Sequence, residues 1–178
     1  MKAYLKDLGI RYFSAREVSG VPADRVTVVE RAGFLQLLPP PKMWWWTGAV
    51  FAMAERVREM AQSPVRARWH WRPEAVNSVV GGSPRSDHLY GKAVDLWFES
   101  PRRRDQALAW LVPLLLSDLQ QEVVGLSLGL GRTMLHLGVG VRARHWIYGK
   151  KRTPTGMHSS RDCPVCKLGR TLGMGVVP

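Results

Sequence analysis

Hydrophobic and polar positions recur along this chain with two different periods, and those periods divide it into helices and strands. Over 44–62, Val50, Met53, Ala54, Val57 and Met60 follow helical spacing, with Glu55, Arg56, Arg58 and Glu59 mainly on the other side. This predicts a helix, ended by Ser63-Pro64. Next, Val65-Arg66-Ala67-Arg68-Trp69 alternates apolar with basic, as a half-buried strand does. A short helix is expected over 73–79, with Pro73 in its first turn, and Gly81-Gly82-Ser83-Pro84 reads as a loop. Residues 93–98 read as a strand. Its period of two puts Ala93, Asp95 and Trp97 on one face and Val94, Leu96 and Phe98 on the other.

A second helix is expected over 105–119, with Pro113 as a kink in it. Strands over 123–128, 133–137 and 145–148 complete an antiparallel sheet, with Gly125, Gly129, Gly131, Gly138 and Gly140 at its bends. Near the N-terminus the β-branched content of 26–30 predicts a short strand, and Pro39-Pro40-Pro41 marks a stiff extended break. From residue 150 onward Gly, Pro, Ser and charge dominate, which predicts an extended basic tail. The fold class is therefore α+β: a small antiparallel sheet flanked by helices in a single domain.

Composition changes this picture in three ways. At 178 residues and 46% hydrophobic, the chain is long enough to bury a substantial core, which excludes a disordered class. The formal charge of +12 favours anionic partners such as nucleic acid, acidic lipids or cell-wall polymers. No recognised nucleic-acid-binding motif accompanies it, so nucleic acid is not the expected partner. No apolar run has the length of a membrane span. The first residues carry no apolar signal core, so the expectation is a chain made in the cytoplasm without a secretory signal. The two cysteines, Cys163 and Cys166, form no disulfide framework; with His158 they could make a small metal knuckle or a plain thiol pair.

The candidate chemistry lies in Ser86-Asp87-His88-Leu89-Tyr90-Gly91-Lys92-Ala93-Val94-Asp95 and in the distant His136. Asp95 interrupts an apolar strand, and a buried carboxylate is costly unless paired, hydrogen-bonded or metal-bound. His136 likewise sits among apolar neighbours. Two imidazoles and one carboxylate make a candidate three-ligand zinc set with a fourth position left open, the arrangement of a catalytic site. The alternative from residue types alone is three separately satisfied polar groups.

The segment from Trp69 through Asp95 resembles the hedgehog-like zinc D-Ala-D-Ala carboxypeptidases, a family that includes vancomycin-resistance carboxypeptidases and many phage endolysins. Ser86, His88, Gly91, Ala93 and Asp95 match its Ser-x-His-x-x-Gly-x-Ala-x-Asp motif at every fixed position. Trp71-Arg72-Pro73, Asn77 and Gly81-Gly82 are similar to its upstream pattern, with one residue fewer between Arg and Pro. Phe13-Ser14-Ala15-Arg16-Glu17 is similar to a Phe-Ser-x-x-Glu opening of the subgroup. The resemblance implies a hedgehog/DD-peptidase-like fold, Zn2+ as cofactor, and His88, Asp95 and His136 as its ligands. It implies substrate binding and oxyanion stabilisation by Arg72, and a substrate contact by Ser86. It divides the chain into a packed N-terminal segment (1–42), a zinc peptidase core (43–149) and a tail (150–178).

The pattern breaks downstream. The subgroup's His-x-Asp is here His136-Leu137-Gly138, and Thr133 and Met134 stand where other branches carry a general base. A hydrolase of this type needs a group that accepts the water's proton. His145, His70 and Asp87 are the candidates, with His145 placed in the catalytic set. The expectation is thus a zinc metallopeptidase, a carboxypeptidase or endopeptidase, that cleaves peptidoglycan stem peptides at a D-amino-acid-containing bond. It would act at the cell wall after release, in phage lysis or from a virion, with anionic wall polymers as further partners. The alternative is a catalytically weak zinc-binding wall-binding or structural phage protein on the same fold. Bond specificity and oligomeric state are not legible.

Overall fold

The alternation in 93–98 sets which side of the molecule is core and which is cleft. The computed structural model describes residues 1–120, 124–148 and 164–171. In chain order they form α1 (Lys2–Asp7), α2 (Ala15–Ser19), α3 (Val26–Arg31), α4 (Trp44–Ala61), β1 (Val65–Trp69) and α5 (Glu74–Val79). There follow β2 (Ala93–Phe98), α6 (Pro101–Gln120), β3 (Val124–Leu130), β4 (Met134–Arg142), β5 (Arg144–Ile147) and α7 (Pro164–Thr171). The five strands make one sheet in the order β1-β2-β4-β3-β5. The fold is α+β, one sheet flanked by helices, as its sequence pattern predicts.

One face of the sheet is apolar. Val94, Leu96 and Phe98 of β2 join Leu135 and Leu137 of β4, Leu126, Leu128 and Leu130 of β3, and Val65 and Ala67 of β1. Against this face α4 packs over β2 and β4, and α6 packs over β3, β2 and α4. Burying these aliphatic side chains is the main stabilising term, at ~25 cal/mol per Å² of apolar surface removed from water. The N-terminal segment adds Leu5, Ile10, Phe13 and Val18 to the same core. Phe13 meets Phe51 edge-on at 5.4 Å between ring centres. Directly after it, Ser14 and Glu17 form a reciprocal capping box on α2, so Phe13-Ser14-Ala15-Arg16-Glu17 is physically an anchor followed by a helix start.

Several elements depart from expectation. Residues 26–31 form a helix rather than a strand. Only Val29 is fully buried there, against Leu37 and Val76, and a helix satisfies its own backbone where a strand needs a partner. Glu55 turns inward and accepts the backbone N–H of Tyr12 at 2.6 Å. The sheet is not wholly antiparallel, because β5 runs parallel to β3. The chain reverses at Ala143 between β4 and β5 and returns along the other side of β3, in the direction of β3. The basic tail is not all extended: α7 packs on α6 and Val165 is fully buried in the core. Cys163, His158 and the Cys166 side chain lie outside the described residues, and with them the expected metal knuckle.

Phe51 is fully buried between Phe13 and the ring of His70. Phe51→Ala is expected to lower unfolding free energy by about 3–5 kcal/mol, read from the midpoint of denaturant unfolding.

Candidate metal centre

The second face of the sheet carries Asp95, Trp97 and His136. Antiparallel pairing of β2 with β4 sets Asp95 directly opposite His136. His88 reaches the same point from a 3-10 turn, Asp87–Tyr90, that precedes β2. That turn ends at Gly91 with φ 64°, a left-handed conformation that costs a residue with a Cβ, and a Cβ there would lie 3.3 Å from Met43 Cβ. The motif's glycine is thus the bend that brings the first histidine back over the strand.

The three donor atoms form a small triangle. His136 Nδ1 is 3.0 Å from Asp95 Oδ1 and 3.1 Å from His88 Nε2, and His88 Nε2 is 3.3 Å from Asp95 Oδ1. All three residues are buried, and they make a group that could hold a metal ion. Ligands ~2.0–2.1 Å from a tetrahedral zinc lie about 3.3 Å from one another, close to these edges. The chemistry of the donors fits as well. His88 Nδ1–H donates to the backbone oxygen of His70 at 2.5 Å, which leaves Nε2 as a bare lone pair aimed into the triangle. A lone pair and a carboxylate oxygen 3.3 Å apart in a buried site call for a cation between them.

Without a metal, a proton on His136 does part of that work. Burial lowers the His136 pKa, but Asp87 and Asp95 together raise it above its ordinary value. Burial raises Asp95, yet His88 and His136 outweigh it and hold the carboxylate well below the usual range. Burial lowers His88, only partly offset by Asp95. Among the described residues His136 Nε2 is buried with no hydrogen-bond partner of normal length; Asp87 Oδ2 lies 3.6 Å from it.

The triangle opens onto a cleft of about 620 Å³ lined by Arg72, Ser86, Arg144, Trp146 and Tyr148. Arg72 Nη2 donates to Ser86 Oγ at 3.3 Å, and the Arg72 backbone N–H donates to the His88 carbonyl at 3.1 Å. Burial lowers the Arg72 pKa while Asp95 and Tyr148 raise it, and a guanidinium keeps its charge at neutral pH.

Of the sequence-predicted residues, His88, Asp95, His136, Arg72 and Ser86 come together at this cleft. His145 does not: strand alternation puts Arg144 and Trp146 in the cleft and buries His145 on the helix-covered face, opposite Leu128 of β3. His70 is also interior. Its Nδ1–H donates to the Ala93 carbonyl at 2.8 Å, and burial lowers its pKa to about 4, so it is neutral at pH 7 and serves as a support for His88. Asp87 sits behind His136, paired with Arg144 at 2.6 Å. Asp24 at the cleft rim is paired with Arg68. Of the three expected proton acceptors, His145 and His70 therefore lie away from the cleft, and Asp87, which lines it, is engaged by Arg144 and Ser127. Arg144 and Ser127, both bound to Asp87, were missed from sequence; only the alternation of Arg144 with Trp146 hinted at a cleft-facing arginine.

Residues 32–110 match the family model described as Peptidase M15. Over that stretch the chain is similar to the peptidase M15 family. The M15 match includes Arg72, Ser86, His88 and Asp95 and stops before His136, whose place rests on the register of β4. No curated protein and no solved structure matches the chain significantly.

A metal must displace the proton on His136. Zinc affinity is therefore expected to fall as the pH drops through the raised His136 pKa, by about tenfold per pH unit once the ring is protonated. Chelator competition across pH, with calorimetry in two buffers to count released protons, checks this; affinity flat with pH would contradict it.

Proposed function

We propose that the protein is a zinc-dependent peptidase acting on peptidoglycan stem peptides at a bond involving a D-amino acid. The observation that carries the reading is the buried triangle of His88 Nε2, Asp95 Oδ1 and His136 Nδ1 beside Arg72, within a chain matching the M15 peptidases. Zinc bound there would polarise a carbonyl and make a water more acidic.

The chain's own residues supply binding and orientation. His70 fixes His88 through its carbonyl oxygen, so the ring offers Nε2. Asp95 supplies the negative charge of the ligand set. Arg72, held by Ser86, offers fixed donors to a substrate carboxylate or to charge developing on the carbonyl oxygen. The cleft continues past Asp24, Arg68 and Trp97 into a larger groove of about 1210 Å³ beside β1, which gives room for more of a stem peptide than the scissile pair. The charge of +12 suits anionic wall polymers, and the proposed setting is the cell wall after release, as in phage lysis. Among the described residues no helix is long and apolar enough to cross a membrane.

A second reading is favoured by one observation: the acidic groups of the cleft besides Asp95 are already engaged, Asp24 by Arg68 and Asp87 by Arg144. On that reading the protein holds zinc and wall polymer without cutting. Purified peptidoglycan digested with zinc-loaded protein and analysed by mass spectrometry separates the two. Soluble stem-peptide fragments are expected, their masses naming the bond, and Asp95→Ala is expected to release none. Stoichiometric zinc and wall binding without fragments would leave only the second reading.

A further inference from the structure

We propose that Asp87 is a positioning residue for this centre: its carboxylate accepts Nε2–H of His136 and so keeps Nδ1 of that ring bare for a cation. This rests on the zinc reading above. A neutral imidazole carries one proton on either nitrogen. If the proton sits on Nδ1, it points at Asp95 Oδ1 and His88 Nε2 and blocks the triangle; on Nε2 it points at Asp87. The carboxylate decides between the two.

Its placement is over-determined. Asp87 is 7% exposed and its Oδ2 accepts from Ser127 Oγ at 3.0 Å and from Arg144 Nη2 at 2.6 Å. The same oxygen is 3.6 Å from His136 Nε2, a few tenths of an ångström beyond hydrogen-bond length. That nitrogen is buried and has no other partner among the described residues, so Asp87 is the acceptor within reach there. The neighbouring residue in the chain is His88, so one turn delivers both a ligand and the partner that orients another. Gly138 completes the arrangement. A Cβ at 138 would stand 2.2 Å from Ser127 Oγ and 3.1 Å from Asp87 Oδ2, so the glycine leaves the space that the Ser127–Asp87 bond fills. The break in the His-x-Asp pattern at Gly138 thus coincides with a carboxylate brought to the same place from position 87.

A merely structural Asp87, paired with Arg144 for stability, would leave metal binding and the His136 ring unchanged. Zinc dissociation constants from competition with a chromophoric chelator distinguish the cases. Asp87→Ala is expected to weaken zinc about 10–100-fold, the usual effect of removing a ligand's outer partner. In nitrogen-15 NMR of the zinc-loaded protein, the slowly exchanging His136 Nε2–H signal is expected to be lost in the variant. Equal affinity with an unchanged ring signal overturns the proposal. Asp87→Asn keeps the shape and carries the same test should the alanine variant not fold; about a threefold or larger loss supports the proposal, and unchanged affinity overturns it. Failure of the parent chain to bind zinc at all would overturn the metal reading, and this inference with it.

Discussion

The register between β2 and β4 is the constraint on which the rest of the molecule depends. It sets Asp95 against His136 and, on the reverse face, Val94 and Leu96 among the leucines of β4. A slip of one residue would exchange the two faces, burying a carboxylate and an imidazole under α4 and α6 and exposing the aliphatic core. The hydrophobic effect that holds the helices on one face therefore also fixes the donor atoms on the other. Core and site are two sides of one pairing.

Bringing two imidazoles and a carboxylate together in a buried place is unfavourable unless charge and hydrogen bonds compensate. The compensation is layered. His70 is held by the Ala93 carbonyl and in turn fixes His88. Ser127 and Arg144 fix Asp87 behind His136. These outer groups come from β3 and β5, the parallel pair at the far edge of the sheet. The reversal at Ala143 that makes β5 parallel also delivers Arg144 to the cleft and turns His145 away from it.

Much of this is legible in the chain because it is local. The strands over 65–69 and 93–98 have the bounds that alternation predicts, since each short run leaves one face apolar. The 44–62 helix ends at Ala61, with Gln62 in the left-handed conformation as its cap. The motif's Gly91 is legible as a glycine position because its positive φ leaves a residue-type signature. Valines at 26–29 mislead because β-branched content does not say whether a partner strand is at hand. Val165 is invisible in a tail rich in Gly, Pro and charge, since one buried valine makes no period.

The sequence by itself determined the α+β class, the two faces of β2, and three residue types whose burial demands a cation or a proton. Those follow from period, side-chain chemistry and the cost of a buried charge, all of which act within a few residues. Tertiary structure alone decided which histidines meet and which carboxylate stands behind them. His70, His145 and Asp87 are equal in sequence as polar residues near the motif or near His136. They are separated by strand parity, by the direction of β5 and by the space at Gly138, which exist only once distant segments have paired.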